Sequence, residues 1–308
     1  MARTRRGRPI NGWLAIDKPP GLTSTDVVTR VKRATNAAKV GHGGTLDPLA
    51  TGVLPIAFGE ATKTVQYVMD GLKTYRFRIR WGEARDTDDA EGAVIATSEH
   101  RPTADDIAAA LPRFIGLIEQ VPPRYSAVKV DGQRAYDLAR KDVAVELKSR
   151  QINVKSFRLL DMPDPDHAEF EVISGKGTYM RSLARDLALA LGTVGHIAAL
   201  RRTVCGAFQE SQAISLEKLE SLGHSAPASE YLLPVSTALD GIPALALTEA
   251  EARDLSSGQP VSLLRVASRS PLGSIGTGDT VRAMAEGRVV ALARIEGGEI
   301  RPVRVLSL

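Results

Sequence analysis

Two ionisable side chains, His42 and Asp47, sit in the segment Gly41-His42-Gly43-Gly44-Thr45-Leu46-Asp47-Pro48-Leu49-Ala50-Thr51-Gly52, which has four glycines in twelve residues. A backbone this rich in glycine turns sharply and comes close to a ligand. Pro48 confines the residue before it to extended angles, so the Asp47 carboxylate is presented on a stiffened piece of loop. One carboxylate and one imidazole on such a loop are enough to build a reactive site on a rigid scaffold. An ordinary turn with a turn-forming aspartate has the same composition, and the loop alone does not choose between the two.

Three residues elsewhere could complete a site. In Lys73–Trp81, Tyr75, Phe77, Ile79 and Trp81 alternate with Thr74, Arg76, Arg78 and Arg80. That period of two predicts a strand with one apolar and one basic face, Tyr75 projecting inward. An aromatic ring there either stacks on a planar substrate or packs in the core. Tyr179 and Arg181 fall in the first turn of a helix that follows Ser174-Gly175-Lys176-Gly177-Thr178. A carboxylate that acts as nucleophile or base must be ionised, positioned and shielded from water. Burial drives it toward neutrality unless a cation holds its charge. Arg181, always charged and able to grip a carboxylate with two N–H groups, suits Asp47 as counter-ion.

Other chemistries find less support. The five histidines (42, 100, 167, 196 and 224) are scattered, and no Cys/His cluster has ligand spacing for a metal. Gly175-Lys176-Gly177-Thr178 lacks the upstream glycine of a phosphate-binding loop. Gly273, Gly276 and Gly278 lie outside any dinucleotide-binding context. No nucleophile elbow supports a Ser-His-Asp triad. In the acidic run Asp86–Gly92, Ala90 stands where a calcium loop needs an oxygen ligand, so the run reads as a turn salt-linked to neighbouring arginines.

The elements that position these groups follow from pattern. Gly12–Gly21 reads as a short strand stopped by a proline turn. Thr25 or Asp26 caps a helix with Val27, Val28, Val31 and Ala34 on one face and Arg30, Lys32 and Arg33 on the other, and Gly41 ends it. Val53–Phe58 reads as a buried strand, 61–69 as a second amphipathic helix and 103–115 as another. Residues 121–154 form a long excursion rich in Pro, Lys and Arg, with Tyr125, Lys129, Arg134 and Tyr136. Phe170 and Val172 lie on a strand, and the helix after it turns Met180, Leu183, Ala184, Leu187 and Leu191 inward, with Arg181 and Arg185 on another face. Pattern fades near 222–240, and 241–308 reads as a small β-rich unit with strands at 279–284, 288–295 and 300–305.

The bulk numbers bound the class. The 308 residues suffice for a large domain and a small one, and 43% hydrophobic with 25% charged residues is ordinary for a globular protein. Forty basic residues face 36 acidic ones, a modest excess, so the clusters matter more than the total. They lie at Arg3, Arg5, Arg6 and Arg8, at Arg30, Lys32 and Arg33, at Arg76, Arg78 and Arg80, and at Arg201 and Arg202. Such clusters suit a polyanionic partner, although any one of them also suits a solvated face. The single cysteine, Cys205, excludes an internal disulfide, and no stretch of about 18 apolar residues is long enough to span a membrane. A cytoplasmic location is expected.

Taken in order and spacing, Gly12–Gly21, Gly41–Gly52, Lys73–Trp81 with Asp86–Gly92, and Gly175–Arg181 resemble the TruB-type tRNA pseudouridine synthases over roughly residues 12–210. A weaker resemblance over 241–308 is to the small PUA-like RNA-binding domain that ends bacterial members. The most specific element is Gly-His-x-Gly-x-Leu-Asp-Pro-Leu-Ala-x-Gly, which has Gly43 where the family pattern has Thr. The resemblance implies an α+β pseudouridine synthase fold with a mixed, mainly antiparallel sheet flanked by helices. It divides the chain into a basic tail (1–11), a catalytic domain (12–240) with an RNA-clamping insert at about 121–154, and the PUA-like domain (241–308).

The family isomerises uridine 55 in the T-loop of tRNA to its C5-glycoside. On that likeness Asp47 is the catalytic aspartate, Tyr75 stacks under the flipped base and helps remove the C5 proton, and Arg181 pairs with the aspartate. His42 helps displace the target nucleotide, Tyr179 and Leu200 line the uracil pocket, and Lys18 and Pro19 support the site. The isomerisation conserves all atoms, so no cofactor or metal is implied. The expected partner is the T-arm of tRNA, with the protein a monomer. A non-catalytic RNA-binding or tRNA-folding protein on the same scaffold is the alternative, because a fold does not fix a function.

Overall fold

The computed structural model describes residues 7–126, 147–222, 227, 230–270 and 275–308, and the backbone of 129–130 and 133–134. Its centre is a ten-stranded sheet. Across it run, in order, Ile214–Ser215, Gly12–Lys18, Thr51–Phe58, Gly195–Cys205, Lys73–Trp81, His167–Ser174, Arg150–Asp164 and Gly116–Gln120. Val40–His42 adds to Thr51–Phe58, and Phe208–Gln209 to Gly195–Cys205. Two contacts are parallel, Gly12–Lys18 with Ile214–Ser215 and Thr51–Phe58 with Gly195–Cys205, and the rest are antiparallel. The sheet is therefore mixed and mainly antiparallel, as expected.

Alternation along the strands creates two different faces. One carries Leu14, Ile16, Leu54, Ile56, Phe77, Ile79 and Phe170 into the main core. The helices Ser24–Thr35, Ala104–Ala110, Met180–Ala190 and Leu216–Leu222 cover it with Val27, Val31, Ile107, Leu183, Leu187, Leu216 and Leu219. The opposite face carries Trp13, Ala15, Val53 and Ala57 into a second cluster with Val68 and Phe208. Three residues of the C-terminal unit, Val289, Leu292 and Leu306, complete that cluster. The unit itself is a five-stranded sheet ordered Ala244–Ala246, Thr280–Ala285, Arg288–Glu296, Glu299–Val305, Val261–Ser262, with its own core.

Several local expectations need correction. The first helix is capped by Thr23, whose side chain accepts from the Asp26 amide while the Asp26 carboxylate accepts from the Thr23 amide, so Asp26 is the third residue of a capping box and not the cap. It ends at Thr35 with Asn36 left-handed, so Gly41 does not end it but lies in the short strand Val40–His42. The 61–69 helix is broken at Thr64 into a 3-10 turn and Val65–Asp70. The 103–115 helix is capped by Thr103, runs Ala104–Ala110 and continues as a 3-10 turn through Phe114, Pro112 being its second residue. In the C-terminal unit the strands fall within a residue of expectation, but helices Glu249–Ser256 and Leu263–Ala267 also form. The last residues of the 121–154 excursion, from Arg150, belong to the sheet.

The expected basic face of Lys73–Trp81 exists but is neutralised. Arg76 bonds Glu171, Arg78 bonds Glu169 and Arg80 pairs with Glu83, while Glu171 also holds Arg158. Arg30 grips Glu220 with two N–H groups, and Arg201 holds both Asp17 and Glu210. Lys32 and Arg33 are exposed. The side chains of Lys129, Arg134 and Tyr136, most of the excursion, and Arg3, Arg5, Arg6, His224 and Gly273 lie outside the described residues. Among the described residues no helix is long and apolar enough to cross a membrane, and no cluster of three His, Cys, Asp or Glu is arranged to hold a metal.

Candidate active site

The Asp47 loop joins two antiparallel strands, Val40–His42 and Thr51–Phe58. Its backbone is pinned at nearly every step. The Gly43 amide donates to Pro55 O (2.7 Å). Ser24 Oγ both accepts from the Leu46 amide (2.8 Å) and donates to Leu46 O (3.1 Å). Pro48 O receives the Gly21 amide (2.9 Å) and the Lys18 ammonium (3.0 Å). Gly52 closes the loop with φ +96°, and a Cβ there would lie 2.2 Å from Arg202 O, so no other residue fits.

Lys18 is fully buried at the end of its strand, and its Nζ donates to Pro19 O (2.9 Å), Leu22 O (2.6 Å) and Pro48 O. One ammonium thus ties the proline turn to the peptide next to Asp47. Burial pulls its pKa down to about 8, partly opposed by the charges of Asp47 and Glu91. Lys18 and Pro19, expected to support the site, meet here through the bond from the ammonium to Pro19 O.

Arg181 begins the helix Met180–Ala190 and is 5% exposed. Its Nε donates to Asp47 Oδ2 at 2.9 Å, its Nη1 to Thr87 O at 3.0 Å and its Nη2 to Tyr125 O at 2.8 Å. A second carboxylate, buried Asp89, lies 3.7 Å from the same Nε. The predicted Asp47–Arg181 pairing, made across 134 residues, is therefore direct. Asp47 keeps 36% of its side chain open while its counter-ion is shut away from water, so the carboxylate faces outward and its charge is held from behind. The acidic run is a turn linked to arginines, as expected: Asp88 accepts from Arg185 (2.9 Å), and Asp88 O receives the Ile197 amide.

Tyr75 lies opposite Arg202 on the neighbouring strand and packs on the main core. Burial pushes its phenol up, against the pull of the Arg202 guanidinium, with Asp47 adding to the upward push. Tyr179, half-buried, is fixed through its backbone, which gives its amide to Gln120 Oε1 (2.9 Å) and takes Gln120 Nε2 at its carbonyl (3.1 Å). Its phenol is also raised by burial, and both Asp47 and Arg181 act on it. Leu200, 7% exposed, sits two residues before Arg202 and opposite Phe77. His42 receives the Gly44 amide at Nδ1 (3.4 Å), and burial together with Arg202 lowers its pKa, so the ring is neutral at neutral pH. Asp47, Arg181, Tyr75 and Tyr179 thus share one electrostatic neighbourhood, with Lys18 beneath the loop and His42 at its start.

Gly43, unexplained in the sequence, has a packing reason. A Cβ on it would stand 3.0 Å from Val68 Cγ1 and 3.3 Å from Trp13 Cζ3, inside ordinary contact distance. Sequence reasoning missed Gln120 and took Asp89 only as part of an acidic run linked to arginines. It took Arg202 only as part of a basic cluster, although Arg202 is 1% exposed. The alternation of the strand through Leu200 could have exposed it, since a residue two positions from Leu200 shares its face.

The family model of the TruB pseudouridylate synthase N-terminal domain matches residues 32–180, and that of the tRNA pseudouridylate synthase B C-terminal domain matches 181–240. The tRNA pseudouridine synthase B of Rhodospirillum rubrum is 66% identical over 308 residues, all of both chains. That of Gluconacetobacter diazotrophicus is 61% identical over 305 residues, 99% of this chain and all of its own. A chain in the crystal structure of a Cbf5-Nop10-Gar1 complex matches with a TM-score of 0.74 at 26% identity, over 99% of this chain and 89% of that one.

Proposed function

The chain belongs to the TruB family of pseudouridylate synthases, and from that premise we propose that it isomerises uridine 55 in the T-loop of tRNA, with Asp47 opening the glycosidic bond. The observation that carries the reading is an outward-facing carboxylate held from behind by a buried guanidinium. A protein that only binds RNA gains nothing from a carboxylate aimed at a polyanion, whereas bond cleavage at C1′ needs a fixed, ionised one.

The target nucleotide leaves its stack, at a cost of a few kcal/mol, and enters the pocket. His42, neutral and at the entrance of the loop, occupies the space it vacates. Tyr75 stacks under the uracil, and Tyr179 and Leu200 wall it in. The N1–C1′ bond breaks as Asp47 attacks C1′ or removes the 2′ proton, the second being the preferred route. Uracil then rotates and C5 bonds to C1′, as Asp47 is displaced from C1′ on the first route or returns the proton to C2′ on the second. The C5 proton leaves and N1 is protonated. The Tyr75 phenol, whose pKa burial raises, stays protonated, so it takes the C5 proton only by handing its own to water in the same step. No atom is gained or lost, and the chemistry calls for no cofactor.

In this reading 12–240 is the catalytic domain, with 121–154 clamping the RNA, and 241–308 is a PUA-like domain that adds RNA contacts to a monomeric enzyme. The test is tritium release from C5-labelled uridine in a T-arm transcript. Wild type releases label in step with product, and Asp47→Asn releases none while binding the transcript with affinity within about twofold. Turnover by Asp47→Asn refutes the assignment of Asp47, and no release by wild type refutes the activity.

A further inference from the structure

Arg202 lies on the strand Gly195–Cys205, 1% exposed, and its side chain is spent on the site's framework. Nε donates to Val53 O (2.8 Å), Nη2 to Gly44 O (3.0 Å) and Nη1 to Thr45 O (3.3 Å). Tyr75 faces Arg202 from the paired position of the neighbouring strand, and the guanidinium charge acts on its phenol. Among the described residues no carboxylate lies within ion-pair distance of Arg202. A buried arginine is ordinarily matched by a carboxylate, because an uncompensated buried charge is costly. Here the carbonyl dipoles of Val53, Gly44 and Thr45 take that place, two of them in the loop that carries Asp47.

We propose that Arg202 is a positioning residue for the isomerisation: one guanidinium fixes the Tyr75 ring and the Gly44–Thr45 backbone relative to each other. Asp47 follows Thr45 by two residues, so the base-stacking ring and the reacting carboxylate are registered through one rigid, planar group. Arginine alone serves, since its fork presents donors in three directions and a lysine ammonium cannot span them. The inference rests on the uridine-isomerising reading above.

A double-mutant cycle with Arg202→Lys and Tyr75→Phe tests it, using the full-length enzyme, a T-arm transcript and single-turnover rates. Arg202→Lys is expected to slow isomerisation by about tenfold or more while transcript affinity stays within about twofold. In the Tyr75→Phe background the same change should cost less than about threefold, because the hydroxyl it acts through is already gone. Equal losses in both backgrounds overturn the proposal and leave Arg202 a structural residue. Should Arg202→Lys not fold, Tyr75→Phe alone reads the contact. Hydrogen exchange of the 43–46 amides then rises several-fold if the hydroxyl and the loop share Arg202, and unchanged exchange overturns the link. An inactive wild type would instead refute the reaction itself.

Discussion

Replacing Arg181 with lysine keeps a positive charge at the site and removes the geometry that uses it. Arg181 reaches Asp47 Oδ2 at 2.9 Å, Thr87 O at 3.0 Å and Tyr125 O at 2.8 Å with three different nitrogens. A lysine ammonium cannot sit in three places, and buried Asp89, 3.7 Å from Nε, competes for it. A charge-assisted hydrogen bond is worth about 1.5–3 kcal/mol. If the bond to Asp47 is the one lost, the isomerisation slows by about 10- to 150-fold, at about 1.4 kcal/mol per decade of rate. The bonds to Thr87 O and Tyr125 O bear on stability, and the melting temperature should fall as well. Affinity for the RNA should hold within about twofold, because Arg181 is 5% exposed and lies behind the carboxylate. Single-turnover tritium release with enzyme in excess, alongside filter binding, separates the two quantities. A rate within about threefold of wild type, or a loss confined to binding, refutes the argument that the guanidinium orients Asp47.

Other outcomes follow from the same geometry. Gly43→Ala should destabilise the fold by about 1–3 kcal/mol in urea unfolding, since its Cβ meets Val68 Cγ1 at 3.0 Å; adding Val68→Ala should recover part of that, and strictly additive costs would refute the contact. Lys18 has a folded pKa of about 8 against an ordinary 10.5, so below pH 8 both states hold the proton, and from 8 to 10.5 only the unfolded chain does. Its contribution to stability therefore rises with pH over that window, while the loss of a donor beneath Pro48 lowers the reaction rate through about pH 8. Lys18→Met should abolish the stability rise in urea titrations at successive pH values. Lys32→Ala and Arg33→Ala should each reduce the salt slope of RNA binding by about one, whereas Arg78→Ala, already paired with Glu169, leaves it unchanged.

Much of this was legible in the chain because local chemistry announces itself. The strict alternation in Lys73–Trp81 specified the strand to the residue, and the glycine loop with Asp47 and the Tyr179–Arg181 turn named the parts of the site. Their meeting was an inference from charge: a carboxylate needs a cation, and Arg181 was suited. What could not be read were partners supplied from across the sheet. Glu169 and Glu171 neutralise the arginines about 90 residues away, so a face that looks basic in sequence is close to balanced in space. Glu220 and Asp17 do the same to Arg30 and Arg201. Helix starts were misplaced for a related reason. Thr25 and Asp26 are both competent caps, and only the reciprocal bond between Thr23 and Asp26 selects Thr23.

The apolar cluster on the far face of the large sheet joins Trp13, Val68 and Phe208 to Val289, Leu292 and Leu306. A boundary drawn on topology, one sheet here and another there, is thus not a boundary in cooperativity. The two sheets share buried atoms, and the Glu60–Lys63 pair reinforces the seam by taking the Ser307 amide and giving a bond to Val305 O. Val68 and Trp13 also lie where a Cβ on Gly43 would stand, at 3.0 and 3.3 Å from it, so the loop is seated on this cluster with no room for a side chain there. The rigidity of the Asp47 loop is therefore drawn in part from the last twenty residues of the chain, through the cluster on the far face of the large sheet. Mutational load in those residues would reach the reaction as loss of order and not as loss of contact.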